Sequence, residues 1–87
     1  MAQGESLSPT VFKYRNLRFY FFANEEPRMH VHIVSSDGEA KFWIEPTVAF
    51  AMSKGFSKKE ILEIEKVVEK RQDEIKEAWK KFFKKIK

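Results

Sequence analysis

The chain has 87 residues, no cysteine and a formal net charge of +4, which fits one small domain that removes only about 60% of its unfolded surface from water. Without cysteine, disulfides, thiol catalysis and cysteine-ligated zinc are excluded. No apolar run approaches the roughly 20 residues of a membrane span, and Met1 to Pro9 has neither the basic start nor the apolar stretch of a signal peptide, which points to a soluble, cytoplasmic protein with no membrane partner. Nine Phe, two Trp and two Tyr let a few residues bury much area. The charge is uneven: Lys80 to Lys87 holds five lysines, leaving twelve basic against thirteen acidic residues in residues 1–79, a net of about −1. Lysines are favoured at a helix C-terminus by the macrodipole, and a clustered patch also meets phosphates.

Residues 1–9 are small and polar, with Gly4, Ser6, Ser8 and Pro9, and read as a flexible tail before a single α+β domain over residues 10–87. Thr10 to Arg15 and Leu17 to Asn24 read as a hairpin turning at Arg15-Asn16, since Asn tolerates left-handed backbone whereas Arg does so poorly. That turn places Phe12, Tyr14, Leu17, Phe19 and Phe21 on a core face, and Val11, Lys13, Arg18, Tyr20 and Phe22 on the other. Asn24 to Arg28 is a polar connection in which Pro27 disfavours helix.

Met29 to Pro46 is the second hairpin, centred on Asp37-Gly38, because both central residues of a type I′ turn need φ > 0. This register puts His32 opposite Trp43 and His30 opposite Glu45 on one face, and Val31, Ile33, Ala40, Phe42 and Ile44 on the core face. Pro46 suits the first turn of a helix, so a short helix is expected from Thr47 to the left-handed cap at Gly55. Ser57-Lys58-Lys59-Glu60 is a capping box flanked by Phe56 and Ile61, and no Gly or Pro interrupts the chain beyond it, so a long helix is expected to about Phe83. Its apolar arc holds Ile61, Ile64, Val67, Val68, Ile75, Ala78, Trp79, Phe82, Phe83 and Ile86, interrupted by Arg71 and Gln72. At roughly 40 Å the helix outruns the strands. Its aromatic end, Trp79, Phe82 and Phe83, either folds over the sheet or docks a partner, a small protein or a second copy of the chain. The expected architecture is two β-hairpins forming a four-stranded antiparallel sheet, then a short helix and a long C-terminal helix packed on one face.

Two chemistries suit the second sheet face. His30, His32 and Glu45 could ligate a divalent metal or form a general acid–base pair, since residues two apart on a strand project to one side; ordinary cross-strand pairing explains the same pattern. Lys13, Arg18, Tyr20, Phe22, His30, His32, Lys41 and Trp43 would interleave rings with cations, as single-stranded nucleic acid requires.

Pro9-Thr10-Val11-Phe12, Leu17-Arg18-Phe19, His30-Val31-His32, Gly38 through Pro46, Gly55-Phe56-Ser57 and the Trp79 to Phe83 ending together resemble the small bacterial family known as domain of unknown function 4160 (DUF4160). Arg28-Met29 stands where that family tends to have proline before the first His, and Arg15-Asn16 stands where glycines often make the first turn. The resemblance implies no reaction. It implies a small stand-alone protein, often encoded beside another short protein in the manner of toxin–antitoxin or regulatory pairs, and so a partner protein and contact with RNA or DNA. Two function classes follow: a binding module for nucleic acid or a partner protein, and a small His-based or metal-dependent, nuclease-like enzyme.

Overall fold

The computed structural model describes residues 8–22 and 27–85, with the side chains of Lys84 and Lys85 left aside. Most of the expected tail, Asn24 to Glu26 of the polar connection, and Ile86 lie outside the described residues. Five strands, β1 (Thr10–Tyr14), β2 (Leu17–Tyr20), β3 (His30–Ser35), β4 (Gly38–Trp43) and β5 (Ala49–Lys54), form one antiparallel sheet in sequence order. Two helices follow, α1 (Lys58–Lys70) and α2 (Gln72–Lys85). No described helix is long and apolar enough to cross a membrane.

The core lies largely where the alternation of the two hairpins puts it, except that Tyr14, expected inward at the end of β1, is exposed and Leu17 is half-buried. Phe12, Phe19, Val31, Ile33, Ala40, Phe42 and Ile44 project from one face of the sheet onto Ile64, Val68 and Ile75 of the helices, and all of them are buried. Complete burial of side chains this size contributes about 1.5–3 kcal/mol each before opposing terms. On β1–β2 the pairs Tyr14–Leu17 and Phe12–Phe19 confirm a turn at Arg15-Asn16. The left-handed conformation falls on Arg15, φ 56°, rather than on Asn16, and the Arg15 guanidinium lies 5.3 Å from the centre of the Tyr14 ring. A bulge at Val11 interrupts the alternation and turns that side chain toward the core, against its expected outward place.

The second hairpin pairs Ser35 with Gly38, His32 with Lys41 and His30 with Trp43. Ser36-Asp37, not Asp37-Gly38, is therefore the loop, and the Asp37 N–H donates to Ser35 Oγ at 3.0 Å. Gly38 has no left-handed backbone; it is needed for room. A Cβ there would collide with the Lys54 carbonyl oxygen and lie 2.8 Å from the Phe56 nitrogen, while Gly55, at φ 95°, packs its backbone against Asp37 and Gly38 in return. Each pairing slides by two residues from the expected one, so side chains keep their faces and exchange their partners.

The expected short helix after Pro46 is instead β5. Ala49 to Lys54 alternates half-buried and exposed along its length, and it supplies partners for the backbone of β4 that a helix would have left open. A short apolar run does not distinguish the two periods by itself. The expected single long helix is two. α1 starts at the capping box, with Glu60 N–H donating to Ser57 Oγ at 3.1 Å and Ser57 N–H donating to Glu60 Oε1 at 2.7 Å. It ends at Arg71, φ −109° and ψ 22°. A straight helix would drive Arg71 and Gln72 into the apolar arc. Breaking it lets the Arg71 guanidinium lie 3.6 Å from the centre of the Phe12 ring while pairing with Glu74 at 2.9 and 3.1 Å, and Gln72 donates to the Glu69 carbonyl at 3.1 Å. α1 covers β4 and β5, and α2 carries Trp79, Phe82 and Phe83 onto Phe21 past the end of β2.

Gly38→Ala is expected to destabilise the fold by about 1–3 kcal/mol, the usual cost of overpacking, whereas Ser36→Ala, at an exposed loop position, should stay within about 0.5 kcal/mol of wild type. Chemical denaturation of the two variants measures both, and equal midpoints would show that the Gly38–Gly55 contact does not constrain the fold.

Candidate nucleic-acid interface

Strand pairing arranges the sheet's second face in rows that cross it. One row runs Lys13, Arg18, Val34, Glu39, Lys54; the next runs Thr10, Tyr20, His32, Lys41, Met52; a third joins His30 to Trp43 and Ala49. Among the described residues α1 packs on the other face, and α2 reaches this one at its end, where Trp79 lies against His30.

Rings and cations on these rows touch in one chain. Arg18 is tied to the β1 side, its Nε donating to Thr10 Oγ1 at 2.6 Å and its Nη2 donating to the Ser8 carbonyl. That tether lays the guanidinium 4.5 Å from the centre of the Tyr20 ring. Tyr20 stacks on His32 at 5.3 Å and 26°, and Phe22 sets its edge against both, at 5.3 and 5.1 Å. His32 meets His30 at 5.0 Å, and His30 meets Trp43 at 5.7 Å. Lys41 and Arg28 then lie 4.4 and 4.2 Å from the centre of the Trp43 ring. Arg28 is oriented by its Nε donating to the Glu45 carbonyl at 2.8 Å. Rings held edge to face and stacked in this way lose little further freedom when a flat ligand adds to them.

Exposure divides the expected site residues. Lys13, Phe22 and Arg28 are exposed, and Arg18, His32, Lys41 and Trp43 are half-buried. Tyr20 is buried, 8% exposed, beneath its neighbours, and His30 is buried completely. The expectation that His30 is displayed is corrected by its position: it sits where the sheet ends and α2 crosses, with Trp79 5.3 Å away. Its Nδ1 lies 2.6 Å from the Arg28 carbonyl oxygen, which can only accept, so that nitrogen carries the proton.

Glu45 does not stand opposite His30. The ladder continues past the strands with Ile44 N–H donating to the Met29 carbonyl at 2.9 Å, which brings Glu45 level with Arg28. The slide of two residues at the turn is the cause. Among the described residues, no group of three or more His, Asp or Glu is placed to hold a metal ion. The partner-docking residues Trp79, Phe82 and Phe83 lie buried or half-buried against Phe21, as in the first of the two fates expected for them.

Arg28 was not among the residues singled out by sequence. It lies in the loop after Pro27, and the corrected register is the signal that places it beside Trp43. A separate cleft of about 630 Å³ opens on the core side between α1 and the two hairpin turns, with Leu17, Ile64 and Val67 among its lining residues. Its rim mixes acids with bases, Glu60 and Glu63 beside Lys66 and Lys70, so it offers no uniform field to a polyanion.

His30→Ala should destabilise the protein by about 2–5 kcal/mol, the range for emptying a buried site of comparable size, while Glu45→Ala, at an exposed side chain, should leave the denaturation midpoint nearly unchanged. An equally small effect of both substitutions would contradict a core role for His30.

The model for the family described as "Domain of unknown function (DUF4160)" matches residues 16–80, which spans β2 through most of α2. No curated protein and no solved structure matches the chain. Three quarters of the sequence thus carries the family's pattern, including both strands of the central hairpin and the start of α1, and the chain belongs to the family of domain of unknown function DUF4160.

Proposed function

We propose that the protein is a small nucleic-acid-binding module whose uncovered sheet face holds a single strand of RNA or DNA. The observation that carries this reading is the continuous contact of rings and cations from Arg18 to Arg28. Bases add to exposed or half-exposed π-faces, here Phe22, His32 and Trp43, and phosphates are met by Lys13, Arg28 and Lys41. Cations of the face, Lys13, Arg18, Arg28, Lys41 and Lys54, outnumber its acids, Glu39 and Glu45, although residues 1–79 together are near neutral. The positive field is therefore local to the face, which steers a polyanion there rather than to the surface at large.

A single strand suits the site better than a duplex. The rings are set across an open sheet face, where unstacked bases can lie, and among the described residues no helix or ribbon stands out from that face to enter a groove. The competing enzymatic reading needs a carboxylate beside an accessible imidazole. His30 is sealed in the core and Glu45 stands by Arg28, which favours binding over acid–base chemistry. A regulatory or toxin–antitoxin-like setting, with a small partner protein, is the context in which such a module would act.

Trp43→Ala is expected to weaken binding of a single-stranded oligonucleotide by about 5- to 150-fold, equivalent to one lost base stack. Lys41→Ala should cost several-fold and lower the slope of log affinity against log salt by about 0.7, the value of one phosphate contact on a single strand. Fluorescence anisotropy over a salt series, run on RNA and DNA of the same sequence and on a duplex, measures these effects. Unchanged affinity in both variants, with circular dichroism matching wild type, would remove the sheet face as the binding surface.

A further inference from the structure

The second helix looks remote from the sheet face when read along the sequence, but after the break at Arg71 its residue Trp79 lies beside His30. After the break, α2 crosses the end of the sheet, and Trp79 packs on His30 with ring centres 5.3 Å apart. His30 in turn lies 5.7 Å from Trp43, the ring flanked by Arg28 and Lys41. Trp79 thus borders both sides of the sheet, since it also meets Phe21 of the core at 5.3 Å. Helical geometry sorts its neighbours. Ile75, Ala78 and Phe82 lie on one flank of Trp79 and Phe83 lies roughly 40° round the other, and all four pack on the core. Lys76 and Lys80 lie roughly 60° and 100° round the flank of Phe83, beyond that ring, Lys76 half-buried and Lys80 exposed.

We infer that the nucleic-acid track does not stop at the sheet: it passes over the end of β3 and continues onto α2, where Lys76 and Lys80 contact the phosphates of a strand whose bases stack near Trp43. This extension rests on the sheet-face reading above and adds a length requirement to it. A strand short enough to occupy only the ring cluster gains nothing from α2. A longer one leaving the cluster past Arg28 meets two further cations on a rigid helix, positioned by Trp79 against His30 rather than by a mobile segment.

The double variant Lys76→Gln/Lys80→Gln tests this with single-stranded oligonucleotides of about 4 and about 12 nucleotides, lengths within the range that small single-strand modules occupy. An equal-charge control removes Lys58 and Lys59, exposed at the start of α1 and off the track, by Lys58→Gln/Lys59→Gln. The expected result is that the first double variant binds the long strand about tenfold more weakly and with a salt slope smaller by about 1.4, two phosphate contacts' worth. The short strand should bind as to wild type, and the control variant should match wild type on both lengths. If Lys76→Gln/Lys80→Gln leaves the long strand unaffected, or weakens both lengths or the control equally, while Trp43→Ala still weakens binding, the extension is overturned and the sheet-face reading stands. If wild type retains neither length, both are overturned.

Discussion

The contact on which the rest of the structure depends is backbone against backbone, at Gly38 and Gly55. Neither residue leaves space for a side chain: a Cβ on Gly55 would lie 2.5 Å from the Asp37 oxygen and 2.9 Å from the Gly38 Cα. That proximity joins the turn of the central hairpin to the exit of β5. It fixes where β5 runs beside β4, and it sets the point from which Phe56 and the Ser57 cap launch α1 back over the core. The register of the central hairpin, the fifth strand and the direction of the first helix are consequences of one close approach. Glycine is required there by packing at one residue and by a left-handed backbone at the other.

Side-chain parity explains how much of this was legible beforehand. The alternation of Val31, Ile33, Ala40, Phe42 and Ile44 against His30, His32, Lys41 and Trp43 defines two faces whatever the turn, because a slide of two residues preserves them. The core was therefore readable, and so was the face that carries the candidate interface. Partners across the strands were not, since they depend on which residues close the turn, and Asp-Gly suggests a glycine that turns when this one makes room. The pairing of His30 with Glu45 was lost for that reason, and with it the geometry that an acid–base or metal site requires.

The errors after Pro46 share a cause of a different kind. Ala49 to Lys54 is strand because β4 offers it an open edge, and the long apolar pattern after Ser57 is broken because Arg71 finds Phe12 and Glu74. Both outcomes depend on residues more than five positions away or on another element, which local propensity does not contain. The sequence did show the fault line, since Arg71 and Gln72 interrupt the apolar arc. What it could not show is that the interruption re-aims the second half of the helix.

That re-aiming bears on where the positive charge of the second helix sits. Counted along the chain, the positive charge belongs to the C-terminus and the sheet face has only its own few cations. Placed in the fold, Trp79 brings the basic helix to the end of β3, beside the ring that Arg28 and Lys41 already flank. His30 is the joint between the two. Its burial, which removes it as a catalytic group, is what allows its ring to touch Trp79 on one side and Trp43 and His32 on the other. A histidine in that position transmits packing from the helix to the face. The arrangement of the candidate interface therefore depends on core contacts as much as on the strand that displays it.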